Sequence, residues 1–465
     1  MEIFSNERQG TTNSCYVMTL HSKKELKESL VRDALLRLAK RQPLLRAVIK
    51  IVSNSSWFGQ NNESYFEIIE PSKIGDMIDL TTSDVNAYQW QKAWYDTVMG
   101  QIKTGLLWRT VLFTEEYLPD SENYVNTIIF RVNHCIIDGV SGMNLCKQFL
   151  SYLNSVAENT RVRGEDGPSH ELLPSFYAII SNTRPRSFWK NLQAYVGLHF
   201  IYKFMKRLKL CILLASKSEK PYPFFMTQPS LEVCDLVYKV FSETHTSQIR
   251  KVCRSKGVTV TGALMAAAHK AFCQLIRNQD SVIAKEQEKL MHMFALSGLR
   301  FCEPKPPAEY LGNFLLSEML PMFCNTDDFW SMAQEATKQI HIIIREGKNV
   351  SACLAGFDIF TPKELADEFQ SPLDPKKKLS LFNVHNYISS AGAFTYDDST
   401  SMYKLHECLY YSVPFGFASF ATHFNTTVNG KMSWVILCSK FVPGKIEEQF
   451  AALCFDILQK ETRQE

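Results

Sequence analysis

Hydrophobic positions along this chain change period several times, and each change marks an element. Residues 16–20 form a short apolar run, and Ser22-Lys23-Lys24-Glu25 then reads as a capping box. Leu26, Leu30, Ala34 and Leu38 follow at helical spacing until Pro43 stops the helix. Residues 44–52, 64–69, 106–113 and 124–134 are rich in β-branched and aromatic side chains and read as strands, and 140–153 reads as a helix. The stretch 157–186 has the composition of a linker. A second α/β pattern starts near Leu231, with strands at 236–240, 293–299 and 314–320, a small-residue helix at 260–275 and another helix at 330–344. Residues 379–389, 406–413, 418–425 and 432–438 supply further strands, with Asn429-Gly430 as a hairpin turn. A last helix puts Ile446, Phe450, Leu453 and Ile457 on one face. Two halves of similar element order predict an α/β fold of two pseudo-symmetric lobes, residues 1–186 and 231–465, joined by a crossover linker at 187–230. No sequence repeat of short period is visible.

Length agrees with this division, because 465 residues exceed the size at which one core stops growing. The net charge of +3 and the lack of a basic run interleaved with aromatics give no case for nucleic acid. The first residues, MEIFSNERQG, carry neither a basic n-region with an apolar h-region nor a twin arginine, so a cytoplasmic location is expected. Thirteen cysteines are scattered without a C-x-x-C pair, and Cys273 and Cys454 fall on apolar helix faces, where they read as small buried hydrophobes. Neither a metal site nor a bound redox cofactor is expected, and Gly139-Val140-Ser141-Gly142 lacks the lysine of a phosphate loop. Residues 188–215 are aromatic and basic, with an uncharged run too short to span a bilayer. They fit either an interfacial amphipathic helix or a helix packed on the body with snorkelling lysines.

The chemistry concentrates at Asn133-His134-Cys135-Ile136-Ile137-Asp138-Gly139, where a strand passes into a helix. If the strand persists to its end, His134 shares a pleat face with Ile128, Phe130 and Val132. Desolvation there disfavours the imidazolium, so His134 should be neutral near pH 7 and able to accept a proton. The pattern also fits a purely structural reading, with His134 a satisfied core histidine, Asp138 a helix N-cap and Gly139 a turn residue. His385 and His423 read as strand-face residues, and Lys376 to Lys378 as a solvated loop that can attract phosphates.

Several segments, in order along most of the chain, resemble the chloramphenicol-acetyltransferase-like superfamily of acyltransferases. This group includes alcohol O-acetyltransferases, condensation domains and wax ester synthases. Pro43-Leu44-Leu45-Arg46-Ala47 resembles the hPlLRa signature, with Gln42 where histidine is common, and Asn133 to Gly139 resembles HHxxxDG with its first histidine replaced. Lys256-Gly257-Val258-Thr259 looks like the "gvtl" start of a C-terminal-lobe helix. Gly298-Leu299-Arg300 and Leu311-Gly312-Asn313-Phe314 look like the "R…lGnf" segment of the alcohol-acetyltransferase and condensation branches. The plant-type DFGWG survives only as Pro414-Phe415-Gly416-Phe417-Ala418, which argues against that branch.

The resemblance implies that each lobe is a mixed β-sheet with flanking helices and that an active-site channel runs between the lobes. His134 would act as general base on an alcohol attacking an acyl thioester, without an acyl-enzyme. An amine acceptor, giving amide, and a catalytically silent binding protein are the alternatives. The thioester would be acyl-CoA or acyl-pantetheine as co-substrate, and a carrier protein can present it. Asp138 would be structural and pair with Arg46, and Gly139 would make the motif turn. Asn133, Asn313 and Asn386 are the candidate substrate-binding residues. Residues 188–215 could add peripheral membrane contact.

Overall fold

The computed structural model describes residues 13–56, 59–100, 102, 105–162, 169–183, 236–279, 289–324, 328–347, 350, 384–396, 400–412, 419–438 and 446–463. The whole linker 187–230 with its aromatic segment 188–215, Lys376 to Lys378 and residues 414–418 lie outside these. The strands of the first half are β1 (Asn13–Ser22), β2 (Ala47–Ser56), β3 (Gly59–Ile68), β4 (Leu80–Asn86), β5 (Trp108–Thr114), β6 (Glu116–Leu118) and β7 (Asn123–Asn133). Those of the second half are β8 (Val237–Phe241), β9 (Lys289–Ser297), β10 (Leu315–Phe323), β11 (Val384–Phe394), β12 (Tyr403–Ser412), β13 (Ser419–Val428) and β14 (Lys431–Cys438). The helices that shape the site and its supports are α1 (Glu28–Arg41), α2 (Gly139–Ala157), α3 (Phe176–Thr183), α4 (Glu243–Ser255), α5 (Val260–Gln279), α6 (Phe329–Glu346) and α7 (Ile446–Thr462).

Two mixed sheets form the two lobes. One runs β12-β1-β7-β5-β4 with β6 beside β7, and the other β10-β9-β11-β13-β14-β8; β2 and β3 make a separate ribbon. In the first sheet β1 and β7 are central and antiparallel, with Tyr16 opposite Phe130. Residues 125–132 are all buried, Asn126, Thr127 and Arg131 included, as in a strand covered on both faces. In the second sheet β11 is parallel to both β9 and β13.

The two halves interlock. β12 leaves the C-terminal half and pairs with β1 of the first sheet, Tyr410 opposite Tyr16, so the N-terminal sheet is completed by residues 403–412. A division at residue 231 follows chain order and does not anticipate this strand.

Two apolar clusters fill the lobes. One is built on β1, β7, α1 and α2, the other on α5, α6, α7, β13 and β14. The small residues of α5 have a packing reason: a Cβ on Gly262 would lie 2.1 Å from Thr337 Oγ1 of α6, so the helices cross where neither has bulk. Asn429 and Gly430 have φ of 47° and 81°, the two left-handed residues of a tight hairpin turn.

Three local expectations are corrected. Ser22 ends β1 and its hydroxyl donates to the Lys24 carbonyl; α1 starts later, after Lys27, which gives no side-chain cap. Pro43 to Arg46 form a 3-10 turn before β2, since proline fixes φ and has no N–H for the ladder. Within the expected linker, α3 is helical, and its Phe176 packs edge-on against Phe314 at 5.7 Å. Among the described residues, no helix is long and apolar enough to cross a membrane.

Candidate active site

β7 stops one residue before His134. The Asn133 N–H donates to the Leu107 carbonyl, and its side-chain oxygen accepts from the Cys135 N–H at 3.0 Å. The Ile136 N–H returns to the Asn133 carbonyl, closing a turn between strand and helix. Asn133 therefore shapes the loop in the manner of an Asx turn. His134 sits on this turn and not on the pleat face expected for a continued strand.

The imidazole is only 4% exposed, and burial pulls its pKa down to about 4. Its own backbone carbonyl opposes this shift through a hydrogen bond. A proton on Nδ1 would leave the Nε2 lone pair for a base, whereas a proton on Nε2 would let Nδ1 accept from Asn313. The Asn313 amide group donates to the same carbonyl at 2.8 Å, and its nitrogen lies 3.3 Å from His134 Nδ1. With Nδ1 carrying the proton, the carbonyl bond is the productive one. The Asn313 side-chain oxygen accepts from the Leu315 N–H at 3.1 Å. Asn313 is thus held at both ends and positions the histidine.

Asp138 explains why Asn313 is there. Its Oδ1 accepts from the Ser141 N–H at 2.8 Å, and the Ser141 hydroxyl oxygen accepts from the Asp138 N–H at 3.0 Å, a reciprocal cap on α2. Oδ2 accepts from the Phe314 N–H at 2.9 Å. One buried carboxylate therefore ties the helix after His134 to the chain leading into β10 of the other lobe. Burial raises the Asp138 pKa, and the bonds from Ser141 and Phe314 pull it back. The Ser141 hydroxyl donates to the Gly312 carbonyl at 2.8 Å and so also holds the 312–314 segment.

The expected Asp138–Arg46 pair does not form. Arg46 donates to the carbonyls of Ala39 and Ile69 and to the Ser169 hydroxyl. Backbone carbonyls left by the end of α1 and by the β3 end capture the guanidinium, while backbone N–H groups satisfy Asp138. Asn386 is fully buried and lies between His423 Nε2 at 3.0 Å and His292 Nδ1 at 3.3 Å. It is a core residue of the second sheet.

Gly139 is a close-approach glycine, since a Cβ there would lie 3.0 Å from the Tyr410 ring. Gly142 is tighter still, with Tyr16 Cζ at 1.9 Å from such a Cβ. The Tyr16 hydroxyl donates to the Asp138 carbonyl at 2.9 Å, and the Tyr410 hydroxyl to the Ser389 carbonyl at 2.6 Å. Tyr16, Gly142, Tyr410 and the Phe314 N–H are supports that sequence reasoning missed. No local pattern marks them, because each acts across 100 or more residues or through the backbone.

A cavity of about 890 Å³ opens elsewhere in the second lobe, lined by Gly257, Thr259, Arg300, Lys338, His341 and Arg345 among others. Arg300 follows Gly298, whose N–H donates to the Phe314 carbonyl at 2.6 Å, so the cavity rim adjoins the segment that carries Asn313.

The alcohol acetyltransferase family matches residues 98–296. No curated protein matches the sequence. Among solved structures, the chain is similar to TRI3, a trichothecene 15-O-acetyltransferase from Fusarium sporotrichioides, at TM-score 0.64 and 11% identity over 100% of this chain and 94% of that one. It is similar to polyketide synthase associated protein 5 from Mycobacterium tuberculosis at TM-score 0.59 and 14% identity, over 99% and 96%. The first condensation domain of the calcium-dependent antibiotic synthetase matches at TM-score 0.59 and 10% identity, over 99% and 94%. At such identities these structures speak for the fold. The shared two-lobed fold along the whole chain, together with the family match over residues 98–296 that include the His134 motif, makes this chain similar to the chloramphenicol-acetyltransferase-like acyltransferases.

Proposed function

We propose that the protein transfers an acyl group from a thioester to an alcohol, with His134 as general base, giving an ester. The observation that carries this reading is the burial of the imidazole, which keeps it neutral near pH 7, and the reading places its proton on Nδ1. Nε2 takes the hydroxyl proton as the oxygen attacks the thioester carbonyl. The tetrahedral adduct expels the thiolate, and the proton on Nε2 passes to sulfur. No acyl-enzyme is needed, and Ser141, whose hydroxyl is committed to Gly312, is not a nucleophile. Such a base contributes about 10²- to 10⁴-fold, with positioning of two substrates supplying much of the remainder.

The donor is acyl-CoA or an acyl-pantetheine on a carrier protein, used as co-substrate. Arg300, Lys338 and Arg345 around one cavity supply cations suited to its phosphates. An amine in place of the alcohol would need no different base, and likeness to a condensation domain keeps amide formation as the second reading. We assign the reaction to the cytoplasm, where acyl-CoA is available. Incubation of the purified protein with a panel of acyl-CoAs and mixed alcohols and amines, followed by mass spectrometry, decides between them. Ester products support the proposal, amide products alone move it to the second reading, and no product from any pair despite donor binding points to a silent binding protein.

A further inference from the structure

The second lobe gathers a histidine and two cysteines that the acyl-transfer site does not use. His269 and Cys273 lie four residues apart on one face of α5, and Cys324 directly follows β10. Their ligating atoms all fall within 4.8 Å of one another. Cys273 Sγ is 3.6 Å from His269 Nε2 and 3.7 Å from Cys324 Sγ. A tetrahedral centre with metal–sulfur bonds of about 2.3 Å and metal–nitrogen bonds of about 2.0 Å needs sulfur–nitrogen edges of about 3.6 Å and sulfur–sulfur edges of about 3.8 Å. Both measured edges agree with that requirement.

We propose that His269 Nε2, Cys273 and Cys324 hold one zinc-class divalent metal, tying α5 to the end of β10, with the fourth position left to water or another donor. Two thiolates neutralise the ion. Arg277, the cation whose charge reaches Cys324, then faces a site without net positive charge.

The surroundings supply the outer contact a metal-bound histidine uses. His269 Nδ1 is 2.9 Å from His292 Nε2, in a fully buried row that continues through Asn386 and His423 to Trp434. The Trp434 indole can only donate, and its N–H points at His423 Nδ1. Followed along the row, that choice puts the His269 proton on Nε2, facing the Phe323 carbonyl at 3.2 Å. Metal binding displaces this proton from Nε2 and reverses the row: His269, His292 and His423 each keep one proton, now on Nδ1, with the Asn386 amide turned over and the contact between His423 and the Trp434 N–H left unmade. The cost is that of a single buried hydrogen bond, which a thiolate–metal centre outweighs several-fold.

The full chain, stripped of metal and with its thiols reduced, is titrated with cobalt(II). The expected result is one equivalent bound with thiolate-to-cobalt charge-transfer absorption, displaced one for one by zinc(II). Cys273→Ser and Cys324→Ser should lose that absorption and bind at least about 100-fold more weakly, whereas Cys146→Ser, in the other lobe, should bind as the wild type does. Zinc should also protect Cys273 and Cys324 of the wild type from alkylation, read by peptide mass spectrometry without any variant. No charge-transfer band at stoichiometric cobalt, a band that persists in either serine variant, alkylation of both cysteines unaffected by zinc, or a Cys273–Cys324 disulfide forming in preference to metal uptake would overturn the assignment.

Discussion

At the scale of single residues, the candidate site depends on where a few protons and lone pairs are held. In the proposed reaction His134 Nε2 is the base, with the ring proton on Nδ1 and Asn313 steadying the His134 carbonyl. Asn313→Ala should therefore lower kcat by about 10-fold or more while leaving the KM for the thioester nearly unchanged, as expected of a group that aims the base. A rise in KM at constant kcat would instead return Asn313 to substrate binding. Asp138 and Arg46 satisfy separate backbone groups, so a double-mutant cycle of Asp138→Asn and Arg46→Ala read by chemical denaturation should show coupling below about 0.5 kcal/mol. Each single change leaves buried partners unsatisfied and should cost about 1–3 kcal/mol. Coupling above that limit would restore the direct pair. The sequence displayed His134 and Asp138 as a motif, but their partners could not be read from it. Phe314 contributes a backbone N–H, which no side-chain pattern encodes, and a carboxylate accepts equally well from an arginine or from the chain.

At the scale of elements, the periodicities were legible wherever a side chain's environment repeats. The buried run of β7, the helical stripe of α1 and the Asn429-Gly430 turn all follow from local chemistry. Boundaries set by long-range partners were not legible. β7 stops at Asn133 because the turn redirects its hydrogen bonds, and α1 starts late because β1 continues through Ser22. The histidine and cysteines of the proposed metal site sit 4 and 51 residues apart, which matches no short zinc spacing and hid the grouping. Close packing of α2 against β1 makes a sharp test. Gly142→Ala places a methyl inside the Tyr16 ring, so it should lower stability by about 1–3 kcal/mol or more and release the Tyr16 hydroxyl from the Asp138 carbonyl. A melting temperature equal to the wild type's would show that the helix does not approach so closely.

For the whole molecule, two sheets are interlocked by β12 and pinned by the bonds of Asp138, Ser141 and His134 to residues 312–314, and His134 sits at that pin. Several histidines are buried in this assembly with depressed pKa values: His134 and His385 at about 4 and His423 at about 3, each lowered chiefly by desolvation. The unfolded chain, with imidazoles near 6.5, binds these protons first, so acid favours unfolding. Stability from these groups should be fully present above about pH 6.5 and fall as the pH drops toward 4, by up to about 1.4 kcal/mol per pH unit for each. Thermal melting across that range should show a steep loss, and a flat profile would mean that the imidazoles are not held neutral. Acyl transfer should remain level from pH 7 down to the onset of unfolding, since the base is already unprotonated. The most direct measurement is the initial rate of ester formation by wild type and His134→Ala at pH 7, with saturating acyl thioester and both proteins melting alike. The account predicts a loss of about 10²- to 10⁴-fold in the variant, whereas equal rates would contradict it and remove His134 from the chemistry.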